Sequence, residues 1–285
     1  MKEIKDKTFD EERALYALSD AVVENCRFEG PADGESALKE SHDITVRASD
    51  FALRYPFWHM TDSAILNCTL RDTCRAALWY AGQIRIADSE LLGIKAVREC
   101  ENVGITGCRA VSPEFGWFCR NLTIENSEIT GEYFLLHSEN ILLRGVTLHG
   151  KYSFQYCKNV TIYDSVLDTK DAFWETENVT VYNSVVKGEY LAWYAKNLRL
   201  VNCRISGTQP LCYAKGLVLE NCTMEGCDLS FEYSEVDATV SGHIDSVKNP
   251  LCGRIVADSI GEILFDENRR DEGRALVTVR GSGNS

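Results

Sequence analysis

The chain has 285 residues, of which 45% are hydrophobic and 26% are charged; this is enough apolar material for a large core and excludes global disorder. Its formal net charge is −13, which argues against a nucleic-acid backbone as partner, because phosphate binding requires a basic surface. No apolar run is long enough for a signal peptide or a membrane span. The sequence therefore predicts one domain over residues 1–285, located in the cytoplasm.

The first elements lie in a weakly repeated region. Arg13 to Ala17 resembles a later strand and predicts a first strand there, although Thr8 and Glu11, three residues apart, are also compatible with the cap of a short helix. Asn25-Cys26 and Asn67-Cys68 follow in a common frame with inserted residues, the largest insertion being Gly30 to Gly34. This frame predicts coils from about residue 14.

A strict repeat becomes visible further along the chain. Asparagine recurs every 19 residues, at positions Asn102, Asn121, Asn140, Asn159, Asn178 and Asn197. Each asparagine is followed by an apolar–x–apolar triplet, such as Val103 and Ile105, which is typical of a strand with one buried face. A small corner residue, a second short strand, a glycine turn and an aromatic third strand complete each repeat.

This pattern predicts an all-β fold, a single-stranded parallel β-helix built from coils of ~19 residues. We expect the coils to cover about residues 14–234, with the asparagines stacked as a ladder along one edge. Beyond Val236 the period is lost, so residues 235–285 are expected to form a non-repeating C-terminal cap over the open end of the stack.

The twelve cysteines fit a packing role. The small corner position holds Cys26, Cys68, Cys108, Cys203 and Cys222, and a second small position holds Cys100, Cys119 and Cys157. No C-x-x-C pair with histidine is present, so we expect no metal and no cofactor. In a reducing compartment we expect no disulfide either.

The third strand carries two neighbouring rows of residues. The first row holds Trp58, Trp79, Trp117, Trp174 and Trp193, and the second holds His59, Tyr80, Glu99, Phe118, His137, Tyr156, Glu175, Tyr194, Tyr213 and Glu232. Adjacent strand residues face opposite ways, and buried unpaired carboxylates are costly. This predicts the second row outside, together with Tyr133, Tyr152, Phe154, Asp171, Phe173 and Tyr190, and the tryptophans inside.

An outward aromatic face with carboxylates and histidine favours the stacking of sugar rings. The alternative is that aromatic ladders stabilise the coils or are covered by a partner or the tail. The residues of this face predicted to bind ligand are His137, Tyr156, Glu175 and Tyr194.

A basic strip in successive coils, formed by Arg54, Arg75 and Lys95, is the second candidate site. It suits an anionic ligand such as a uronate, and an arginine or lysine whose lowered pKa leaves it neutral is able to remove a proton next to a neutralised carboxylate. Ordinary salt bridges to neighbouring acids are the alternative. The catalytic residues are unknown, and the candidates are Arg75, His59, Glu99 and Glu114.

Four long blocks of sequence resemble a known family. They span Gly30 to Glu40, Leu53 to His59, Cys74 to Tyr80 and Gly207 to Tyr213, and they resemble the bacterial domain-of-unknown-function family DUF3737 over nearly the whole chain. The resemblance implies a right-handed, pectin-lyase-like β-helix. It implies no catalytic residues.

Two functions are compatible with these observations. The first is binding of an acidic or neutral oligosaccharide on the aromatic face, with lyase-like or glycosidase-like cleavage if the protein is an enzyme. The second is a non-catalytic scaffold that binds a protein partner or a second copy of itself. Neither nucleic acid nor a membrane is expected as a partner.

Overall fold

The computed structural model describes residues 2–30, 34–270 and 274–280, so residues 31–33 of the insertion between Gly30 and Gly34 lie outside the described part. Two compact units divide the chain, residues 1–147 and 148–285. Every regular element in the described ranges is a β-strand, and accordingly none is a helix able to cross a membrane.

The described residues of the first unit form eighteen strands. They are β1 Lys2–Lys5, β2 Thr8–Phe9, β3 Ser19–Glu24, β4 Arg27–Phe28, β5 His42–Arg47, β6 Asp50–Phe51, β7 Phe57–Trp58, β8 Thr61–Leu66, β9 Thr69–Leu70, β10 Leu78–Trp79, β11 Gly82–Ala87, β12 Glu90–Leu91, β13 Val97–Arg98, β14 Glu101–Thr106, β15 Arg109–Val111, β16 Arg120–Glu125, β17 Glu128–Glu132 and β18 Glu139–Arg144.

Three parallel sheets run through this unit. The longer strands β1, β3, β5, β8, β11, β14, β16 and β18 pair in the first sheet. The short strands β2, β4, β6, β9, β12, β15 and β17 pair in the second, and β7, β10 and β13 form the third. Each strand pairs with its equivalent one coil later, as predicted.

Strand β19, Thr147–Lys151, lies at the boundary between the units, and the remaining strands belong to the second. They are β20 Lys158–Tyr163, β21 Val166–Lys170, β22 Glu177–Tyr182, β23 Val185–Lys187, β24 Lys196–Val201, β25 Arg204–Ser206, β26 Leu217–Glu225, β27 Glu235–Val240, β28 His243–Lys248, β29 Cys252–Ala257, β30 Ser259–Leu264 and β31 Leu276–Val279.

The second unit repeats the first two sheets. Strands β20, β22, β24, β26, β27, β29 and β31 pair in parallel as one sheet. A second sheet contains β21, β23, β25 and the end of β26, and β28 pairs with β30. The predicted all-β parallel solenoid is confirmed, and it is consistent with a right-handed β-helix.

The coils extend beyond the predicted limits of residues 14–234. Strand β1, which precedes residue 14, pairs with β3. Strands β27, β29 and β31, which follow residue 234, continue the first sheet of the second unit. In segment 235–285 the period of 19 is lost, because equivalent residues lie 17 apart at Asp237 and Arg254 and 22 apart at Asp258 and Arg280. The described residues of that segment add coils of altered length. The assignment of residues 1–285 to a single domain remains a prediction.

The asparagine ladder is confirmed within each unit. Asn121 Nδ2 donates to Asn102 Oδ1 at 2.9 Å, and Asn140 Nδ2 donates to Asn121 Oδ1 at 3.0 Å. In the second unit Asn178 and Asn197 continue the pattern at 3.2 and 3.0 Å. Each has a positive φ, such as 54° at Asn121, a conformation that asparagine tolerates better than most residues.

The small corner residues complete the core as predicted, because the cysteines assigned to it are buried. From Cys26 to Ser127 thiols and hydroxyls alternate at this position, and they hydrogen-bond the corner backbone. Ser49 Oγ, for example, accepts from the amide of Cys26 at 3.1 Å and donates to the carbonyl of Arg47 at 2.9 Å. Cys68 Sγ donates to the carbonyls of Leu66 and Val46 at 3.3 and 3.7 Å.

Candidate functional site

The sequence predicts an extended strand on the third side of each coil. In the described residues of the first unit, the extended part is limited to the two-residue strands β7, β10 and β13, each flanked by residues of positive φ such as Tyr55 and His59. In the second unit every second residue there has a positive φ, as at Tyr152 (60°), Phe154 (64°) and Tyr156 (59°). Arg13 to Ala17, predicted as a strand, is a turn of the same kind with positive φ at both ends. Inward and outward side chains alternate in extended strands. Where the backbone on this side is not extended, this simple alternation does not apply.

The consequence is that three neighbouring positions occupy three different environments. Phe57, Leu78 and Val97 are fully buried in the first unit, as are Phe154 and Phe173 in the second. The next position holds the tryptophans, which are half-buried. The position after that is the most exposed, and we call it the outer row: His59, Tyr80, Glu99, Phe118 and His137 in the first unit, and Tyr156, Glu175, Tyr194, Tyr213 and Tyr233 in the second.

The prediction that the second row faces out is therefore correct, and the prediction that the tryptophans pack inside is wrong. Trp58 stacks on Trp79 with ring centroids 5.4 Å apart, and Trp174 stacks on Trp193 at 5.5 Å. The indole N–H of Trp174 donates to the carbonyl of Tyr190 at 2.7 Å. The tryptophans thus form a half-buried layer between the core and the outer row.

Four further assignments to the outer face are corrected. Phe154 and Phe173 are core residues stacked at 4.6 Å. Asp171 is only 6% exposed, and burial raises the pKa of its carboxyl. Glu232 belongs to the tryptophan layer, where it pairs with Lys248 at 3.1 Å, and Tyr233 takes its place in the outer row, since its ring stacks on Tyr213 at 5.8 Å.

In the first unit the charged residues of the outer row have partners within the protein. His59 Nδ1 lies 3.2 Å from Glu40 Oε1, and Glu99 Oε1 lies 3.0 Å from Arg98 Nε. The neighbouring side chain of Glu99 also raises the pKa of Tyr80. Tyr80 remains 47% exposed, so its ring is available to a ligand.

Two grooves open beside this part of the row. One has a volume of about 540 Å³ and is lined by Glu40, His59, Thr61 and Tyr80. The other has a volume of about 550 Å³ and is lined by Tyr80, Glu99, Cys100, Glu101, Phe118 and Arg120. Phe118 is 46% exposed and stacks on His137 at 5.4 Å, so an aromatic surface borders polar groups in the second groove.

The second unit has one groove of about 270 Å³ on its outer row. It is lined by Glu175, Tyr194, Lys196, Tyr213 and Lys215. Tyr194 is 46% exposed and stacks on Tyr213 with ring centroids 4.9 Å apart. Glu175 and Tyr194, both predicted to bind ligand, are therefore brought together, and Tyr156 lies in the same row and is 42% exposed.

The predicted basic strip is not a single row. The amide of Tyr55 donates to the carbonyl of Arg75, and that of Ala76 donates to the carbonyl of Ile94. In a parallel ladder this register aligns Arg54 with Arg75 but places Lys95 one position later.

The three side chains of the strip also differ in their ion pairing. Arg54 lies 3.4 Å from Glu35, and Lys95 lies 3.0 Å from Glu114, which matches the salt-bridge alternative for those two cations. Arg75 is exposed and has no ion pair within the described part of the chain. None of the three lines the grooves of the outer row.

Sequence reasoning missed Lys196 and Lys215 as groove residues. A signal was present, because both occupy the repeat position of Glu101, Arg120, Glu139, Lys158 and Glu177, where the charge alternates in sign until Lys215. Within the described ranges no group of three or more histidine, cysteine, aspartate or glutamate side chains is arranged to hold a metal ion. The chemistry that this site offers is aromatic stacking beside hydrogen-bonding and charged groups.

Fold and site together define a parallel β-helix with an exposed aromatic row on its third side. The chain belongs to the family described as "Protein of unknown function (DUF3737)", whose profile matches residues 2–278. No curated protein matches the sequence.

Among solved structures, the chain is similar to the A-module of the Azotobacter vinelandii mannuronan C-5 epimerase AlgE6, with 12% identity, a TM-score of 0.46 and coverage of 92% of this chain and 90% of that one. It is similar to the tailspike protein of E. coli bacteriophage HK620, with 9% identity, a TM-score of 0.46 and coverage of 91% and 62%. PfbA, a surface adhesin of Streptococcus pneumoniae, matches with 10% identity, a TM-score of 0.41 and coverage of 99% and 86%. Identities this low bear on the fold alone.

Proposed function

We propose that the protein binds an oligosaccharide on its outer row. The observation that carries the proposal is the series of exposed aromatic rings on consecutive coils, as in Tyr194 stacked on Tyr213 and Phe118 stacked on His137. Consecutive coils of a parallel solenoid lie about 4.8 Å apart, so the row offers ring after ring to an extended chain.

The polar groups beside these rings suit a sugar better than a purely apolar ligand. A sugar ring has an apolar face that packs on an aromatic side chain and hydroxyls that require hydrogen-bond partners. Glu99 and Glu101 border the Tyr80 and Phe118 rings, and Glu175 borders Tyr194. Both requirements of a sugar are thus met within one groove.

Binding is the activity proposed here, because the candidate catalytic residues do not converge. His59 and Glu99 line separate grooves, and Arg75 and Glu114 line neither. The cytoplasm remains the proposed location, since the buried corner thiols act as packing groups and suit a reducing compartment.

The test is a calorimetric titration with neutral and acidic oligosaccharides, run with a light-scattering mass. We expect a saccharide to bind, and Tyr80→Ala or Tyr194→Ala to weaken binding about tenfold, since each removes one stacking surface worth roughly 1.4 kcal/mol. Tyr182→Ala, which alters a stacked tyrosine pair in the first sheet, is the control and should leave affinity unchanged. A dimer that binds no saccharide would instead support the scaffold function.

A further inference from the structure

The first residue of successive first-sheet strands forms a ladder of charged side chains. In the first unit Glu101 pairs with Arg120 and Arg120 with Glu139. In the second unit Lys158 pairs with Glu177 and Glu177 with Lys196. The sign of the charge alternates along both ladders, which is the favourable arrangement for residues directly opposite each other.

Lys215 breaks this alternation. Its backbone pairs in parallel with Lys196, so two ammonium groups follow each other on adjacent coils. Like charges in this position destabilise a sheet. The nearest carboxylate in the ladder, Glu177, lies 3.7 Å from Lys158, and neither Lys196 nor Lys215 has an ion pair in the ranges that the structure describes.

The same two lysines line the groove of the second unit. They face the exposed ring of Tyr194, the adjacent Tyr213 and the carboxylate of Glu175 in a cavity of about 270 Å³. This volume is just below the roughly 300–1,000 Å³ of pockets that take drug-sized ligands, so it suits one sugar ring. In a chain with a net charge of −13, this groove brings two ammonium groups and one carboxylate together beside a stacking surface, so its lining carries a net positive charge.

We propose that Lys196 and Lys215 bind an anionic substituent of the saccharide, a carboxylate or a sulfate ester, while the sugar ring packs on Tyr194. The inference rests on the proposed function, because it assigns a charge preference to one groove of the outer row. Each ammonium donates a charge-assisted hydrogen bond to the anion, and the anion removes the repulsion between the two lysines. Glu175 is placed to accept a hydrogen bond from a ring hydroxyl.

The experiment uses three hexasaccharide probes with the full-length protein: α-1,4-linked galacturonate, the same oligomer with its carboxyl groups reduced to alcohols, and a sulfated neutral oligomer. We expect at least one charged probe to bind about tenfold or more tightly than the reduced one. The double variant Lys196→Gln with Lys215→Gln should abolish that preference, so that the charged and the reduced oligomers then bind with similar affinity. The preference should also decrease with added salt, because exposed charges are screened.

Lys187→Gln is the matched control, since Lys187 lies in the second sheet, where it pairs with Asp168 at 2.7 Å. It removes one positive charge from the same unit by the same type of substitution and should preserve the preference. Equal affinity of the wild type for all three probes would overturn this inference while leaving oligosaccharide binding in place. Failure of all three to bind would overturn the proposed function and this inference together.

Discussion

The outer rows of the two units occupy the same position of the coil and differ in electrostatics. In the first unit the charges at the row are neutralised by neighbouring side chains, as in the pairs His59 with Glu40 and Glu99 with Arg98. In the second unit Lys196 and Lys215 stand next to each other without an ion pair in the described chain. The repeat therefore determines where an aromatic ring is exposed, and individual side chains determine which ligand charge each unit accepts.

The buried position beneath the row offers the largest test of the packing that the two units share. Phe57 in the first unit and Phe173 in the second are both fully buried, and each packs on another phenylalanine, at 4.8 and 4.6 Å. Phe57→Ala and Phe173→Ala should each lower the free energy of unfolding by about 3–5 kcal/mol. Urea denaturation measures both, and a loss below about 1 kcal/mol in either unit would show that the two third sides are built differently.

The asparagine ladder tests whether the edges of the two units are equivalent. Asn121 and Asn178 have φ values of 54° and 57° and form the ladder bonds described above. Replacement by alanine should cost about 2 kcal/mol at each site, because the left-handed conformation and the amide bond are both affected. Replacement by glycine should cost about 1 kcal/mol, since glycine adopts this φ freely. Equal losses for alanine and glycine in denaturation experiments would show that the conformation contributes nothing.

The smallest effect concerns two carboxylates at one repeat position, Glu114 in the first unit and Asp171 in the second. Burial raises the pKa of Asp171 above its ordinary value of 3.8, so the carboxyl of the folded protein binds its proton more tightly than that of the unfolded chain. The folded state therefore loses stability as the pH rises from 3.8 through the raised pKa. Asp171→Asn should therefore stabilise at neutral pH by about 1 kcal/mol or less, and the gain should vanish below the ordinary pKa.

Glu114→Gln is the comparison, because Glu114 pairs with Lys95 at 3.0 Å and its loss should destabilise the protein. Thermal unfolding across this pH range measures both variants. A stabilising Glu114→Gln, or a gain for Asp171→Asn that persists in acid, would contradict the contrast between the units.

The sequence was sufficient for most of the fold and for part of the site. The asparagine period and the apolar triplets such as Val103 and Ile105 predicted the coils, because each buried position recurs in phase. Alternation did not predict the third side, where residues such as Phe154 adopt a positive φ and strand parity no longer applies. The coil of 21 residues from Phe57 to Leu78 is followed by one of 19 to Val97, which moved Lys95 out of line with Arg75.

The central claim, that the outer row binds an oligosaccharide, is tested most directly by tryptophan fluorescence. The chain has five tryptophans, and all of them lie in the layer beneath the row. The ring of Trp79 stacks on Tyr80 with centroids 5.3 Å apart, and the ring of Trp193 meets Tyr194 edge to face at 6.5 Å. Titration with the galacturonate hexasaccharide and its reduced form should give a saturable change in emission whose midpoint agrees with that found by calorimetry. Tyr194→Ala should move this midpoint to an about tenfold higher saccharide concentration. Calorimetric binding with unchanged emission would place the saccharide elsewhere on the protein and contradict the account.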